Sequence, residues 1–557
     1  MGFSETTGGA RGRLLLIAVF AALTAAAGLF TLPPLDRDES RFAQATAQML
    51  ESGDFVAIRF QADERNKKPV GIHWLQAATV TAFSSVEARE IWAYRLPSLL
   101  GAVLAALFTY QIGARLYGPQ TGMIAALLLA SAPAVAGEAA IAKTDAALLA
   151  AVAGAQAAFV AIISAAVENR KTSLVSVVGF WIALGAGMLI KGPVILIIVG
   201  ATLAVMVARS ARFDLLSAIN PALGVFILLL MVAPWAVAVN EATEGRFFNE
   251  AVGGDMLAKV GAAQESHAGP PGYYLILLFV LFWPAAALIP AGIQRIAAER
   301  SDWRAWFLIA WIAPSWIIFE LTATKLPHYA LPLYPAVAIL AARVAETQTS
   351  ALSPALRKIG AALYGLIGVA FAAAIVFIPY TLKKADLSPG VIVSAAALAL
   401  AASATAILFW RGQARSAVFP AAFLSSALIW TLLAGLAPNL DPLKVSPRLS
   451  DAIDEAGLHP LRDDALPVAL AGYREPSAIF LLGTNTILTD GRGAADLADG
   501  ARRAVAVESR EEPAFLERIA ERGASAEPLA LIDGVNYSNG DDVSIQIYRI
   551  GKQRGSP

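Results

Sequence analysis

The residues best suited to chemistry are gathered in one polar stretch, Leu35–Gln76, that lies between long apolar runs. Asp36, Arg37, Asp38, Glu39 and Arg41 stand directly beside the first run, where charge without a partner is costly and tends to mark function. Lys67, Lys68 and Pro69 follow in the same stretch. Farther along, Asp145 ends the triplet Lys143-Thr144-Asp145 among alanines, where an acid has no structural need to exist. Lys191 precedes Gly192-Pro193 at a break between two apolar runs, Arg95 stands in Tyr-Arg-Leu-Pro-Ser, and Lys325-Leu-Pro-His328-Tyr329 opens another run. Each residue also has a plain structural explanation. Asp38 and Asp145 could be helix caps, and Lys191 could be a snorkelling lysine. Together they suit a substrate with a phosphate on a lipid tail: cations bind and polarise the phosphate, and an acid positions or deprotonates the acceptor. Asp38 and Asp145 are the expected catalytic pair. Arg41, Lys68, Lys191 and Arg95 are the expected phosphate ligands. Glu39, Lys67, Lys325, His328, Tyr329 and His267 are further candidates.

These residues need elements to hold them, and composition says which. Hydrophobic residues make up 57% of the 557-residue chain and charged residues 15%, with a mean hydropathy of +0.61. So few charges could not cover a soluble protein of this size, so the chain reads as a polytopic α-helical membrane protein. There is no cysteine, which excludes thiol chemistry and disulfides, and the four histidines are too few for a histidine-rich metal centre. The formal net charge of +0 gives no argument for nucleic acid. Apolar runs near 14–33, 95–117, 120–137, 145–166, 173–190, 192–208, 214–239, 272–292, 305–321, 329–345, 358–380, 389–410 and 416–437 predict about thirteen spans. The Ala25–Ala27 patch resembles a signal-peptidase site, but the many later spans favour a retained first span.

With a cytoplasmic N-terminus, the alternate short loops carry Arg115, Arg170, Arg209, Arg300, Arg357 and Arg411, as the positive-inside rule demands. The loops 34–94 and 240–271 and everything after 438 then lie outside, with every candidate residue on one face. Within 34–94, Phe42, Ala45 or Thr46, and Met49 recur at helical spacing, and Ile72, Leu75 and Gln76 mark a second amphipathic helix on the membrane surface. From 439 to 557 the pattern is that of a small soluble α/β domain. Strands are expected at LPVALAG, RAVAVES, PLALID and VSIQIYRI, and helices at EPSAIFLLG and EPAFLERIAERG.

The motifs DESRFAQATAQMLESGDFV, KKP, RLPSLLGAV, KTDAALL, KGP, APW, GPPGYYL and KLPHYALPLYPAVAIL occur in that order. The set resembles the GT-C superfamily of membrane glycosyltransferases, in particular the ArnT group (4-amino-4-deoxy-L-arabinose transferases) and its protein-mannosyltransferase relatives. The resemblance implies a GT-C fold with thirteen spans, and a sugar donor carried on a polyprenyl phosphate such as undecaprenyl phosphate. It also implies transfer to an envelope acceptor such as lipid A on the periplasmic face of the bacterial inner membrane. The family's first acid falls on Asp38, its basic partner on Arg41, its second acid on Asp145 and its lysine before Gly-Pro on Lys191. Lys-Leu-Pro-His-Tyr is intact at Lys325–Tyr329. The Glu-Lys-Pro of ArnT-like members falls on Lys67, Lys68 and Pro69, so a lysine replaces the glutamate and a different sugar is expected. A divalent cation, on Asp38 or Asp145, is the one cofactor left open, and the chain is expected to act as a monomer. A transporter or flippase of lipid-linked sugars is the alternative. Transporters, however, place polar residues at mid-bilayer and show repeats, whereas here the charges share one face and no repeat is visible.

Overall fold

The computed structural model describes residues 7–210, 214–257, 269–347, 352–381, 389–463, 465–498 and 502–552. Every apolar run of the sequence falls on a helix or a pair of helices. Among the described residues nine helices are long and apolar enough to cross a bilayer, and the pair Pro119–Ala130 and Pro133–Ala139, bent by 61°, makes a tenth candidate. The other three runs form Thr7–Ala25, which opens with Arg11 and Arg13, Val194–Ser210, and the broken pair Tyr273–Leu281 and Ile289–Ala298. Pro284 and Pro290 explain that last break, because proline lacks the N–H that would continue a helix.

Seven helices frame the polar stretch, and we label them in chain order. They are α1 (Asp38–Ser52), α2 (Gly71–Phe83), α3 (Ile91–Tyr117), α4 (Pro119–Ala130), α5 (Pro133–Ala139), α6 (Asp145–Val167) and α7 (Leu174–Lys191). The face read from the sequence of α1 is the one that is buried: Phe42, Ala45, Thr46 and Met49 are all at most 5% exposed. Gly53 ends α1 at φ 70°, a conformation a side chain would resist. On α2 the buried face is Ile72, Gln76 and Val80, whereas Leu75, expected on that face, is 44% exposed beside exposed Trp74. Apolar side chains on the outer face suit a helix that rests on a bilayer.

Two glycines bring the site elements together. A Cβ on Gly101 of α3 would lie 2.6 Å from the Ala146 carbonyl of α6, and one on Gly71 of α2 would lie 2.7 Å from the Leu189 carbonyl of α7. Backbones therefore meet directly beside Asp145 and Lys191.

Beyond residue 439 lies a five-stranded sheet in the order β2-β1-β3-β5-β4. Its strands are β1 (Ala469–Ala471), β2 (Ile487–Thr489), β3 (Arg503–Glu508), β4 (Ala524–Asn536) and β5 (Asp541–Lys552). β1 runs parallel to β2 and β3, while β5 is antiparallel to β3 and β4. The four strands and two helices read from the sequence are present. β2 and the helices Val445–Glu455 and Gly491–Asp496 are additions. β2 has only three residues, all half-buried, too few to show an alternation. The helix Pro476–Leu482 packs on α1. Phe480 meets Tyr94 edge-on at 5.3 Å, and Gln44 donates to Thr484 Oγ1 at 2.7 Å.

Candidate active site

The site is built on one buried ion pair. Arg95 of α3 is fully buried and donates to both oxygens of Glu39 at 2.8 Å, and to the carbonyls of Leu32 at 2.8 Å and Pro33 at 2.9 Å. Glu39 in turn accepts from the N–H groups of Leu35 and Ala142, each at 2.8 Å. One carboxylate thus joins the segment before Asp38 to the segment before Asp145. This corrects two expectations. Arg95 is not placed to bind a phosphate, because its guanidinium is enclosed and occupied by Glu39 and backbone carbonyls. Glu39 is not a substrate-facing acid for the same reason. Breaking such a pair costs about 3–5 kcal/mol, since the survivor is a buried charge without a partner.

Asp38 is the first residue of α1 and is exposed. It does not act as the cap: the N-cap position is Arg37, and no side chain caps the helix. Arg37 has φ 62° and ψ −106°, a conformation that costs a residue with a side chain ~1–3 kcal/mol.

Asp145, in the first turn of α6, sits in a cluster of charge. Its carboxylate hydrogen-bonds Lys191 at the C-terminal end of α7, and lies 3.6 Å from Lys143 Nζ and 3.8 Å from His328 Nε2. Lys143 Nζ is 3.1 Å from Glu138, whose other oxygen is 3.6 Å from His328 Nδ1. Burial works against the charge on Lys143, but the carboxylates of Glu138, Asp145 and Asp38 outweigh it and hold its pKa above the usual lysine value. Tyr329 presents its ring to Lys191 Nζ at 5.6 Å. Glu138 is the functional candidate that reading the sequence missed. The argument applied to Asp145, an acid in an alanine-rich run, holds equally for Glu138 in Ala-Gly-Glu-Ala-Ala.

Pro69 approaches Gly192, which brings the Lys67-Lys68 segment to the Lys191 turn. Arg41 and Lys67 line a cavity of ≈ 320 Å³ with Arg65, Asp63, Glu64 and Phe60. Lys325 donates to the Gly269 carbonyl at 3.1 Å. His267 lies outside the described residues. Among the described residues no group of three or more His, Asp or Glu side chains is placed to hold a metal ion. Asp145 is a poor donor for one, because two ammonium groups already flank it.

Helices packed through glycines, an acid at the start of one surface helix, a second acid and lysine at helix ends, and a C-terminal sheet domain together describe a polytopic helical fold with its charged groups gathered at helix ends. Residues 67–237 match the dolichyl-phosphate-mannose-protein mannosyltransferase family. The chain is 30% identical over 365 residues to the undecaprenyl phosphate-alpha-4-amino-4-deoxy-L-arabinose arabinosyl transferase of Pseudomonas paraeruginosa, a match that spans 64% of each chain. The protein of the same name from Erwinia tasmaniensis is 27% identical over 71% of this chain and 69% of its own length. ArnT from Cupriavidus metallidurans, solved both in the apo state and bound to undecaprenyl phosphate, shares the fold with a TM-score of 0.74 at 19% identity, over 97% of this chain and 98% of that one. The chain thus shares the fold of ArnT over nearly its whole length.

Proposed function

We propose that this protein is a glycosyltransferase that moves a sugar from a polyprenyl phosphate donor, undecaprenyl phosphate in bacteria, to an envelope acceptor such as lipid A. The observation that carries this reading is the convergence of Asp145, Lys191 and Lys143 from separate elements on one buried cluster, with the Asp38 carboxylate acting on Lys143. Lys191, Lys68 and Arg41 bind the donor phosphate as charge-assisted partners. The acceptor oxygen attacks the sugar C1 from the face opposite the phosphate. The C1–O bond breaks, and its electron pair stays on the phosphate, where the cations stabilise it. Asp38 takes the acceptor's proton when the acceptor is a hydroxyl. Asp145 holds Lys191 and Lys143 in place through the ion pairs described above. Lys67 falls on the glutamate of the motif that the resemblance implies, and this supports a sugar other than aminoarabinose.

The reaction belongs to the periplasmic face of the inner membrane, with residues 1–438 as the transferase domain, 439–557 as a periplasmic domain and the monomer as the working unit. The uniformly basic alternate loops support this orientation. Purified protein in detergent, given undecaprenyl-phosphate-linked sugars and lipid A, is expected to yield glycosylated acceptor by mass spectrometry. Failure with every donor and acceptor, by protein that binds undecaprenyl phosphate, would reject the proposal.

A further inference from the structure

Asp38 lies between two kinds of anchor. On one side the membrane helices hold Leu35 and Glu39: the Glu39 carboxylate accepts from Leu35 N–H at 2.8 Å, and Arg95 clamps Glu39. The intervening residues 36 and 37 are held instead by the C-terminal sheet. Asp36 N–H donates to the Tyr537 hydroxyl at 2.6 Å, and its carboxylate accepts from Ser477 N–H at 3.1 Å. Arg37 Nη2 donates to the Ser538 carbonyl at 2.7 Å. Tyr537 and Ser538 form the turn between β4 and β5. That turn is itself tethered, since Asn536 Nδ2 and Ser538 Oγ donate to Glu475 at 2.7 and 3.2 Å. Arg37 is the residue at positive φ, and a strained residue keeps such a conformation only where its surroundings over-determine it. The surroundings that do so here are the contacts of the β4–β5 turn.

We propose that the β4–β5 turn positions Asp38: Tyr537 and Ser538 hold Asp36 and Arg37 in a conformation the loop would otherwise leave, and so aim the Asp38 carboxylate. Tyr537 and Ser538 are positioning residues, and the C-terminal domain completes the site from outside the membrane helices. The inference rests on the reading that Asp38 takes the acceptor's proton.

The test uses the full chain. Tyr537→Phe keeps the ring and removes the oxygen that accepts from Asp36. Its turnover is expected to fall about 5- to 10-fold, the effect of one lost hydrogen bond. Affinity for undecaprenyl phosphate should stay within about twofold, and amide exchange at residues 36–41 should accelerate. Glycine adopts positive φ without strain, so in an Arg37→Gly background the same Tyr537→Phe change should cost less than about twofold. Turnover of Tyr537→Phe near wild type, or an equal loss in the Arg37→Gly background, overturns the inference if Asp38→Asn is inactive. An active Asp38→Asn would instead overturn the reading beneath it.

Discussion

Asp38 and Glu39 are neighbours in sequence with opposite fates, one exposed and one enclosed by Arg95. Neighbours on a helix face directions about 100° apart, so one acid is fixed while the next is left exposed. Asp38→Asn preserves shape and removes charge. It should lower transfer by about 10²- to 10⁴-fold with little loss of stability, because Asp38 caps nothing; turnover against thermal unfolding checks this. Glu138→Gln removes the carboxylate nearest Lys143 and makes the cluster more positive. We expect binding of undecaprenyl phosphate to tighten about twofold while turnover falls about 10-fold, since Lys143 then competes with Lys191 for Asp145. A titration and a rate on the same preparation would show whether the two effects have opposite signs. Most of this cluster was legible in the sequence, because a charge in an apolar run announces itself. The true role of Arg95 was not legible. Its position beside a span suits a phosphate ligand as well as a clamp, and only the arrival of Glu39 from another helix decides.

At the scale of elements, the long apolar runs and the amphipathic α1 were readable because burial imposes a period on the sequence. The close approach of helices was not, since a glycine that admits a neighbour's backbone looks like any other glycine. Gly101→Ala puts a methyl 2.6 Å from the Ala146 carbonyl, an immobile backbone atom. α3 and α6 must separate, which should cost ~1–3 kcal/mol and move Asp145 away from the Arg95–Glu39 clamp. Measured as turnover and as melting temperature, both are expected to fall; an unchanged melting temperature would contradict the packing.

At the scale of the molecule, the C-terminal domain meets the membrane helices through a group that titrates. Burial, and then the nearby Glu475 carboxylate, push the Asp36 pKa up to about 6, against the Ser477 donors that lower it; Tyr473, Tyr537, Glu39 and Arg37 also surround the site. A raised carboxyl favours the docked form when protonated. Its contribution is complete below the ordinary value of 3.8 and is lost as pH rises through about 6. The protection of amides in Pro476–Leu482, taken relative to the intrinsic base-catalysed exchange rate, should therefore fall between about pH 4 and pH 6 in the wild type, and Asp36→Asn should flatten that dependence. The Glu39 clamp has a further consequence, for biogenesis. Synthesis runs from the N-terminus, so Glu39 leaves the ribosome before Arg95 and well before Ala142. Until α3 has been inserted, that carboxylate has no counter-charge and cannot settle at the lipid boundary. The segment around Glu39 must wait in water for a later helix, so a chain whose α3 fails to insert carries an exposed acid there, a mark that quality control could read before any domain has folded.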